Sequence, residues 1–248
     1  SLGLVGSEMC IRDSHITALP MRRTALIIVA AGRGVRMGAP LPKQYLPLEG
    51  RPILAHTVHA ASALLAPGDQ LILVIPPDDD ERVRTLLEEY CPDVTLTLVH
   101  GGATRGESVL HGLREVSEEI ELVAIHDGVR PILRREMWDR LLAAMESTEA
   151  VVPVTYPTDS LRMVTPDGAS TVLDRSLVRC VQTPQLFTRE AIIDAYEAEG
   201  DTTQTDDAGL YSLHTGRSPL LVEGDPDNLK ITTPRDLALA TLILRDEL

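Results

Sequence analysis

Ala25-Leu26-Ile27-Ile28-Val29-Ala30-Ala31-Gly32-Arg33-Gly34-Val35-Arg36-Met37-Gly38 passes from an apolar run straight into a glycine-rich turn. The run Ala25–Ala31 is too short for a helix. It is rich in Val, Ile and Leu, as strands of buried parallel sheets are. In such sheets ligands bind beyond the carboxyl ends of the strands. The stretch therefore predicts a buried strand that delivers a small-residue loop to a binding site.

Similar runs recur along the chain: Leu71–Ile75, Leu96–Val99, Leu122–Ile125 and Val151–Val154. Helical patterns lie between them. Val83, Leu86, Leu87 and Tyr90 share one face, and so do Leu133, Met137, Leu141 and Met145. Thr233, Pro234 and Asp236 mark the start of a last helix, as N-cap, first position and first-turn acid. The alternation predicts an α/β fold: one Rossmann-like layered domain with a mostly parallel sheet and right-handed crossovers.

One segment breaks the pattern. Ser160–Val164 and Ser170–Leu173 flank the turn Thr165-Pro166-Asp167-Gly168, which predicts a β-hairpin. An isolated hairpin is not stable alone. It is expected to project as an arm, about residues 155–182, that packs on a second subunit in a homodimer. Residues 1–20 carry no helix or strand period and no signal-peptide pattern, and are expected to be a non-native or disordered leader without chemistry. Residues 21–248 then form the single domain.

Composition excludes several classes. The 248 residues carry a formal net charge of −14, which argues against nucleic acid as a partner. Cys10, Cys91 and Cys180 have no paired spacing, so neither a disulfide framework nor a zinc motif is indicated, and a reducing cytoplasm is expected. No apolar run approaches the roughly 18 residues of a membrane span.

An acidic chain that binds an anion needs a local basic cluster, and the glycine turn supplies one. Small residues at Ala30, Ala31, Gly32 and Gly34 let backbone N–H groups approach phosphate oxygens. Arg36 and, in Pro42-Lys43-Gln44-Tyr45, Lys43 add fixed positive charge. Both kinds of group suit a triphosphate, whose leaving pyrophosphate gains charge as its bond breaks. No G-K-[ST] follows, so this is not a P-loop. The glycines read G-x-G-x-x-x-G, which is not the dinucleotide fingerprint.

The runs A-A-G-x-G-x-R-M and P-K-Q-Y resemble the signature of the 2-C-methyl-D-erythritol 4-phosphate cytidylyltransferases. The resemblance continues in order through Gly101–Val109, His126–Pro131, Thr183-Pro184-Gln185, Thr205–Ala208, and Val222-Glu223-Gly224 with Asn228–Thr232. It spans Leu26 to about Ile243. It implies transfer of CMP from CTP to a small sugar-alcohol phosphate, with Mg²⁺ or another divalent cation, by a homodimer with exchanged arms.

Gly101 and Gly102 follow a strand, and Arg105 and Ser108 open a helix, so backbone groups and a hydroxyl there can read a base edge. By resemblance this loop recognises cytosine, through Gly102, Ala103 and Ser108, although the family often has an acid at the position of Ala103. Asp127 ends a strand, where a lone carboxylate can take a magnesium ion, a ribose hydroxyl or both. The resemblance sets Asp127 and Gly128 beside the nucleotide, with alanines common in the family at Gly128 and Val129. Arg130 can contact an acceptor phosphate. His126 reads as structural. The resemblance assigns the acceptor to Ser160, where the family commonly has threonine, and to Arg175, Thr183, Thr205 and Lys230. It also makes Arg36, Lys43, Arg175 and Lys230 the catalytic cations.

Three other readings stand beside this one. A ribitol 5-phosphate cytidylyltransferase shares the nucleotide half. A dinucleotide-dependent oxidoreductase needs an acid about 20 residues after the glycines, at the end of the second strand, yet that strand ends near Ile75. A non-catalytic nucleotide-binding protein predicts loss of a charged site residue, whereas Arg36, Lys43, Asp127, Arg175 and Lys230 are all present.

Overall fold

A computed structural model of the chain describes residues 22–32, 41–199 and 204–246. The leader, and with it Cys10, lies outside these residues, as do Gly34 and Arg36 of the glycine turn. Among the described residues, Cys91 is buried and Cys180 exposed, both as free thiols. No described helix is long and apolar enough to cross a membrane.

The first strand, β1 (Thr24–Val29), is the hub. It pairs in parallel with β4 (Gln70–Ile75) on one side and β6 (Leu122–Asp127) on the other. β5 (Thr97–His100) extends the sheet in parallel beyond β4. Between these strands the chain crosses through α1 (Ile53–Ser62), α2 (Asp80–Tyr90) and α3 (Arg105–Arg114). A small hairpin of β2 (Pro47–Leu48) and β3 (Arg51–Pro52) precedes α1. Its turn residues Glu49 and Gly50 both have positive φ, at 47° and 78°, as a tight two-residue hairpin turn requires.

Beyond β6 the sheet changes direction. After α4 (Arg135–Ala144) comes β7 (Ala150–Thr155), and β11 (Gln185–Thr188) inserts antiparallel between β6 and β7. β10 (Cys180–Val181) is antiparallel to the far end of β7. β12 (Leu220–Glu223) overlaps both of their registers and runs parallel to β7, so it occupies the opposite edge. The expected mostly parallel sheet is present, with β10 and β11 as its antiparallel members.

Strand alternation makes two cores. Leu26 and Ile28 face one layer with Leu54, Val58, Trp138 and Leu141 of α1 and α4. Ala25 and Ile27 face the other with Val109 and Leu113 of α3 and with α5 (Arg189–Glu199) and α6 (Asp207–Thr215). A third cluster joins Leu48 and Ile53 to Val129, Ile231 and Ala240, the last on α7 (Pro234–Asp246). The α7 start is built as its sequence predicts. Thr233 Oγ1 accepts from the Asp236 N–H at 3.3 Å, and Asp236 Oδ2 accepts from the Thr233 N–H at 2.8 Å.

The predicted hairpin is present as β8 (Leu161–Val164) and β9 (Ser170–Leu173), which among the described residues pair only with each other. Gly168 (φ 85°) closes its turn. Met163, Val164 and Val172 are each more than half exposed.

Candidate active site

Six chain segments converge above the carboxyl ends of β1, β4, β5 and β6. They enclose a cavity of about 520 Å³ lined by Val29–Gly32, Lys43-Gln44, Pro76-Pro77, Gly102–Arg105 with Ser108, and Asp127, Val129 and Lys230. Of the site residues expected from sequence, Ala30, Ala31, Gly32, Lys43, Gly102, Ala103, Ser108, Asp127 and Lys230 line this one cavity.

Asp127 is the charge centre. Its carboxylate is mostly buried at the end of β6 and receives Lys230 Nζ on Oδ2 at 2.9 Å. Arg130 Nε stands 3.4 Å from the same oxygen, and Arg105 Nη2 stands 3.9 Å from Oδ1. Burial alone would raise the Asp127 pKa. Lys230, Arg105 and Arg130 outweigh it and hold the carboxyl well below the usual range.

Lys230 lies in the irregular segment between β12 and α7. That segment is pinned at several points. Gln182 Nε2 donates to the Asp225 carbonyl at 2.7 Å, and Asn228 Nδ2 donates to the Thr183 carbonyl at 2.7 Å. Arg134 bridges Asp225 and Asp227. The Ile231 N–H bonds the Val129 carbonyl while its side chain is fully buried. The lysine is therefore held at its root, and its Nζ pairs with Asp127.

Below the cavity lies a network whose protons can be assigned. The Arg130 carbonyl can only accept, so His126 Nε2 carries the hydrogen and donates to it at 3.0 Å. His126 Nδ1 then accepts from the Thr183 hydroxyl at 3.0 Å, and that hydroxyl accepts from the Asp127 N–H at 3.1 Å. Full burial pushes the His126 pKa down to about 4, in keeping with a neutral ring. His126 is structural, as read from sequence. Thr183, expected at the acceptor, is 5% exposed and spends its hydroxyl here. Arg130, also expected at the acceptor, is buried and donates from Nη1 to the Asn228 carbonyl at 2.7 Å. Its visible work is to hold Asp127 and the Lys230 segment. Gly128 lies beneath the wall: its N–H bonds the Val29 carbonyl, and a Cβ there would come within 2.8 Å of the Ala30 Cβ.

The loop Gly101–Ser108 is self-contained. Thr104 caps α3 and Glu107 returns the bond, a capping box legible in Thr104-Arg105-Gly106-Glu107. Glu107 Oε2 also takes the Ala103 N–H at 2.6 Å. The Ser108 hydroxyl donates to the Thr104 carbonyl at 2.8 Å and accepts from the Gly102 N–H at 3.1 Å. Its proton is thus committed to the loop, and it shapes the wall rather than donating into the cavity. Gly101 allows the close approach: a Cβ would lie 2.4 Å from the Ala31 Cβ.

Three residues were not singled out from sequence. Gln44 Nε2 donates to both the Ala30 and Gly32 carbonyls at 3.0 Å, tying the Pro-Lys-Gln-Tyr run to the glycine turn. Arg105 makes a two-pronged pair with Asp207, each N–O distance 2.8 Å. Asp207 is fully buried and also accepts from the Tyr196 hydroxyl at 2.5 Å.

The sequence model of the 2-C-methyl-D-erythritol 4-phosphate cytidylyltransferase family matches residues 24–246. The chain belongs to this family. A cytidylyltransferase of that name from Porphyromonas gingivalis is 42% identical over 226 residues, covering 91% of this chain and 99% of its own. One from Bacteroides fragilis is 42% identical over 224 residues, covering 90% and 100%. Among solved structures, the 4-diphosphocytidyl-2C-methyl-D-erythritol synthase from Anaerococcus prevotii has a TM-score of 0.78 at 31% identity, covering 90% of this chain and 96% of that one. The Thermus thermophilus cytidylyltransferase has a TM-score of 0.72 at 31% identity, covering 90% and 99%.

Not every residue that the family resemblance assigned to the site meets in this cavity. Ser160 is exposed at the root of the hairpin and Thr205 is exposed before α6. Arg175 lies beyond β9, in a short turn rather than on the strand. Its Nη1 donates to the Thr158 carbonyl at 2.6 Å, and it lines a separate open depression with Tyr156 and Asp174.

Proposed function

We propose that this cytidylyltransferase moves CMP from CTP to 2-C-methyl-D-erythritol 4-phosphate, giving 4-diphosphocytidyl-2-C-methyl-D-erythritol and pyrophosphate. The observation that carries the reading is the Asp127–Lys230 pair in the lining of a glycine-walled cavity. A strand-end carboxylate and a cation on a separately anchored segment face the same space. The nucleotide and the acceptor phosphate must meet in such a space.

An acceptor phosphate oxygen attacks the α-phosphorus in line, a P–O bond forms, and the bond to pyrophosphate breaks. An ionised phosphate needs no general base. The chain has to bring two anions together and hold them, and positioning with electrostatic stabilisation supplies that rate. In this reading Lys43, with Arg36, receives the departing pyrophosphate charge. Lys230 turns from Asp127 towards the acceptor phosphate. Gly32, Gly102 and the walls they free fix the nucleotide.

A divalent cation fits the donor set. Among the described residues no cluster of three or more acidic, His or Cys side chains could hold a metal. Magnesium asks for less, because it keeps waters and phosphate oxygens and takes one or two carboxylates. Asp127, ionised and aimed at the cavity, is the residue that would hold it, and the ion would draw charge from the triphosphate oxygens there.

The exposed apolar arm and the distance of Arg175 from the cavity support a homodimer in which Arg175 and Ser160 serve the partner's site. The cytoplasm is the compartment proposed for the enzyme. Pyrophosphate release with CTP, ATP, GTP and UTP against 2-C-methyl-D-erythritol 4-phosphate and ribitol 5-phosphate tests the assignment. Turnover with CTP and the erythritol phosphate is expected. A higher kcat/KM with ribitol 5-phosphate would replace the acceptor, and no turnover with any pair would leave a nucleotide-binding protein.

A further inference from the structure

Thr205-Asp206-Asp207-Ala208 is part of the sequence signature, yet none of its residues lines the cavity. Asp206 caps α6, accepting from the Gly209 N–H at 3.0 Å. Gln185 Nε2 donates to Asp206 Oδ2 at 2.9 Å, and Gln185 Oε1 accepts from the Ala208 N–H at 2.8 Å. Asp207 is thereby fixed at the first turn of α6 with no exposure to solvent. A buried carboxylate must be paired, and both its oxygens go to one guanidinium, that of Arg105.

Arg105 reaches further than this pair. It lines the cavity, and its Nη2 stands 3.9 Å from Asp127 Oδ1, on the side opposite Lys230. One guanidinium therefore lies between two carboxylates. Asp207 holds it at hydrogen-bond distance and Asp127 sees it across a longer gap. Tyr196 fixes the far side of Asp207. Arginine suits this task, because its planar fork fills both Asp207 oxygens and still has N–H groups to spare. If Asp207 did not retain it, the guanidinium could close on Asp127 and take the oxygen that the nucleotide side requires.

We propose that Arg105, clamped by Asp207, which Tyr196 in turn holds, is a positioning residue that holds the Asp127 carboxylate in its working orientation without itself binding substrate. The proposal rests on reading the cavity as the CTP site. It gives the Asp207 motif a function: to keep a cation close to Asp127 but not on it.

The test measures melting temperature, kcat and KM for CTP on the full-length enzyme. The variants are R105Q, D207N, the double variant R105Q/D207N, R105K and Y196F. At a temperature where melting curves show each variant folded, R105Q and D207N should lose kcat by on the order of 10²-fold. Their KM for CTP should change by less than about threefold, since uniform binding is untouched. The double variant should be no slower than the slower single one, because the two residues act as a unit. R105K keeps the charge but loses the fork, and should recover part of the loss. Y196F should show a smaller loss of the same kind. Folded R105Q with wild-type kcat would overturn the proposal. So would a loss confined to KM, which would make Arg105 a substrate ligand. If R105Q does not fold, full activity of both R105K and Y196F would overturn it instead. Wild-type turnover with CTP is the control: its absence would sink the CTP assignment, whereas wild-type turnover with unaffected variants would sink only this inference.

Discussion

Lys230 Nζ stands 2.9 Å from Asp127 Oδ2, but the two residues differ sharply in exposure, 39% of the lysine side chain against 11% of the aspartate. The pair is therefore asymmetric. Removing the lysine leaves Asp127 with Arg130 and Arg105 nearby. Removing the aspartate charge leaves three cations without their shared counter-charge.

Asp127→Asn should therefore cost more stability than Lys230→Ala. Breaking a buried pair from the buried side costs about 3–5 kcal/mol, and half-exposed Lys230 should cost well under that. Both variants should lose kcat by on the order of 10²-fold or more, the scale of a removed transition-state stabiliser. Thermal melts and steady-state rates check this. Equal melting temperatures for the two variants would refute the asymmetry.

Gln44→Leu should loosen the nucleotide wall. The change leaves the Ala30 and Gly32 carbonyls without their donor, at a cost of about 1–3 kcal/mol for a buried unsatisfied group. The KM for CTP should rise and the melting temperature should fall. An unchanged KM would mean that the glycine turn keeps its shape without Gln44.

Gly101→Ala tests close approach. The new methyl would lie 2.4 Å from the Ala31 Cβ and 2.8 Å from Ser108 Oγ, so the loop must shift. CTP affinity should drop at least about tenfold, the scale set by misplacing a binding group. Isothermal titration with CTP would show it, and wild-type affinity would count against the wall as described.

Stability should depend on pH through His126. Burial depresses its folded-state pKa to about 4, against about 6.5 when unfolded. Between these values the unfolded chain binds a proton that the folded chain does not, so stability falls as pH drops from about 6.5 to about 4. The loss approaches about 3 kcal/mol at the lower end. His56, also pushed down by burial, adds in the same direction. Asp127 acts in a separate window: its depressed pKa stabilises the fold above the usual carboxylate range and is lost only in stronger acid. Melting temperatures from pH 8 to 5 should fall in the wild type and fall less in His126→Gln. A flat wild-type profile would contradict the buried neutral ring.

Mixing Arg175→Ala chains with Lys43→Ala chains should restore activity if arms are exchanged. Random exchange makes about half the dimers mixed, each with one intact composite site of two, so about a quarter of wild-type activity is the ceiling. No recovery after proven subunit exchange would place Arg175 in its own chain's site or in none.

The strands, the arm and the position of the site could be read along the chain because their signals are local. The apolar runs place β1, β4, β5, β6 and β7 within a residue or two. The Pro-Asp-Gly turn gives the β8–β9 hairpin, and Thr233-Pro234 with Asp236 gives the α7 start. β11 was not foreseen: four residues, Gln185–Thr188, carry too short a pattern, and only the gap between β6 and β7 makes them a strand.

Residue types at motif positions could likewise be read, but not what each side chain does. Ser108, Thr183 and Arg130 were expected to face substrates. Their polar side-chain atoms bond the Thr104 carbonyl, His126 and the Asn228 carbonyl. The roles of Gln44, Arg105 and Asp207 have no local signal, because their partners are distant in the chain or lie on another strand's loop. The sequence by itself determined which segments are buried strands and which loops carry charge and glycine, since hydrophobic period and turn chemistry act over a few residues. Only the tertiary structure decided which charges meet. A buried ionic group takes whatever partner the packed layers bring within about 4 Å, and no spacing along the chain encodes that distance.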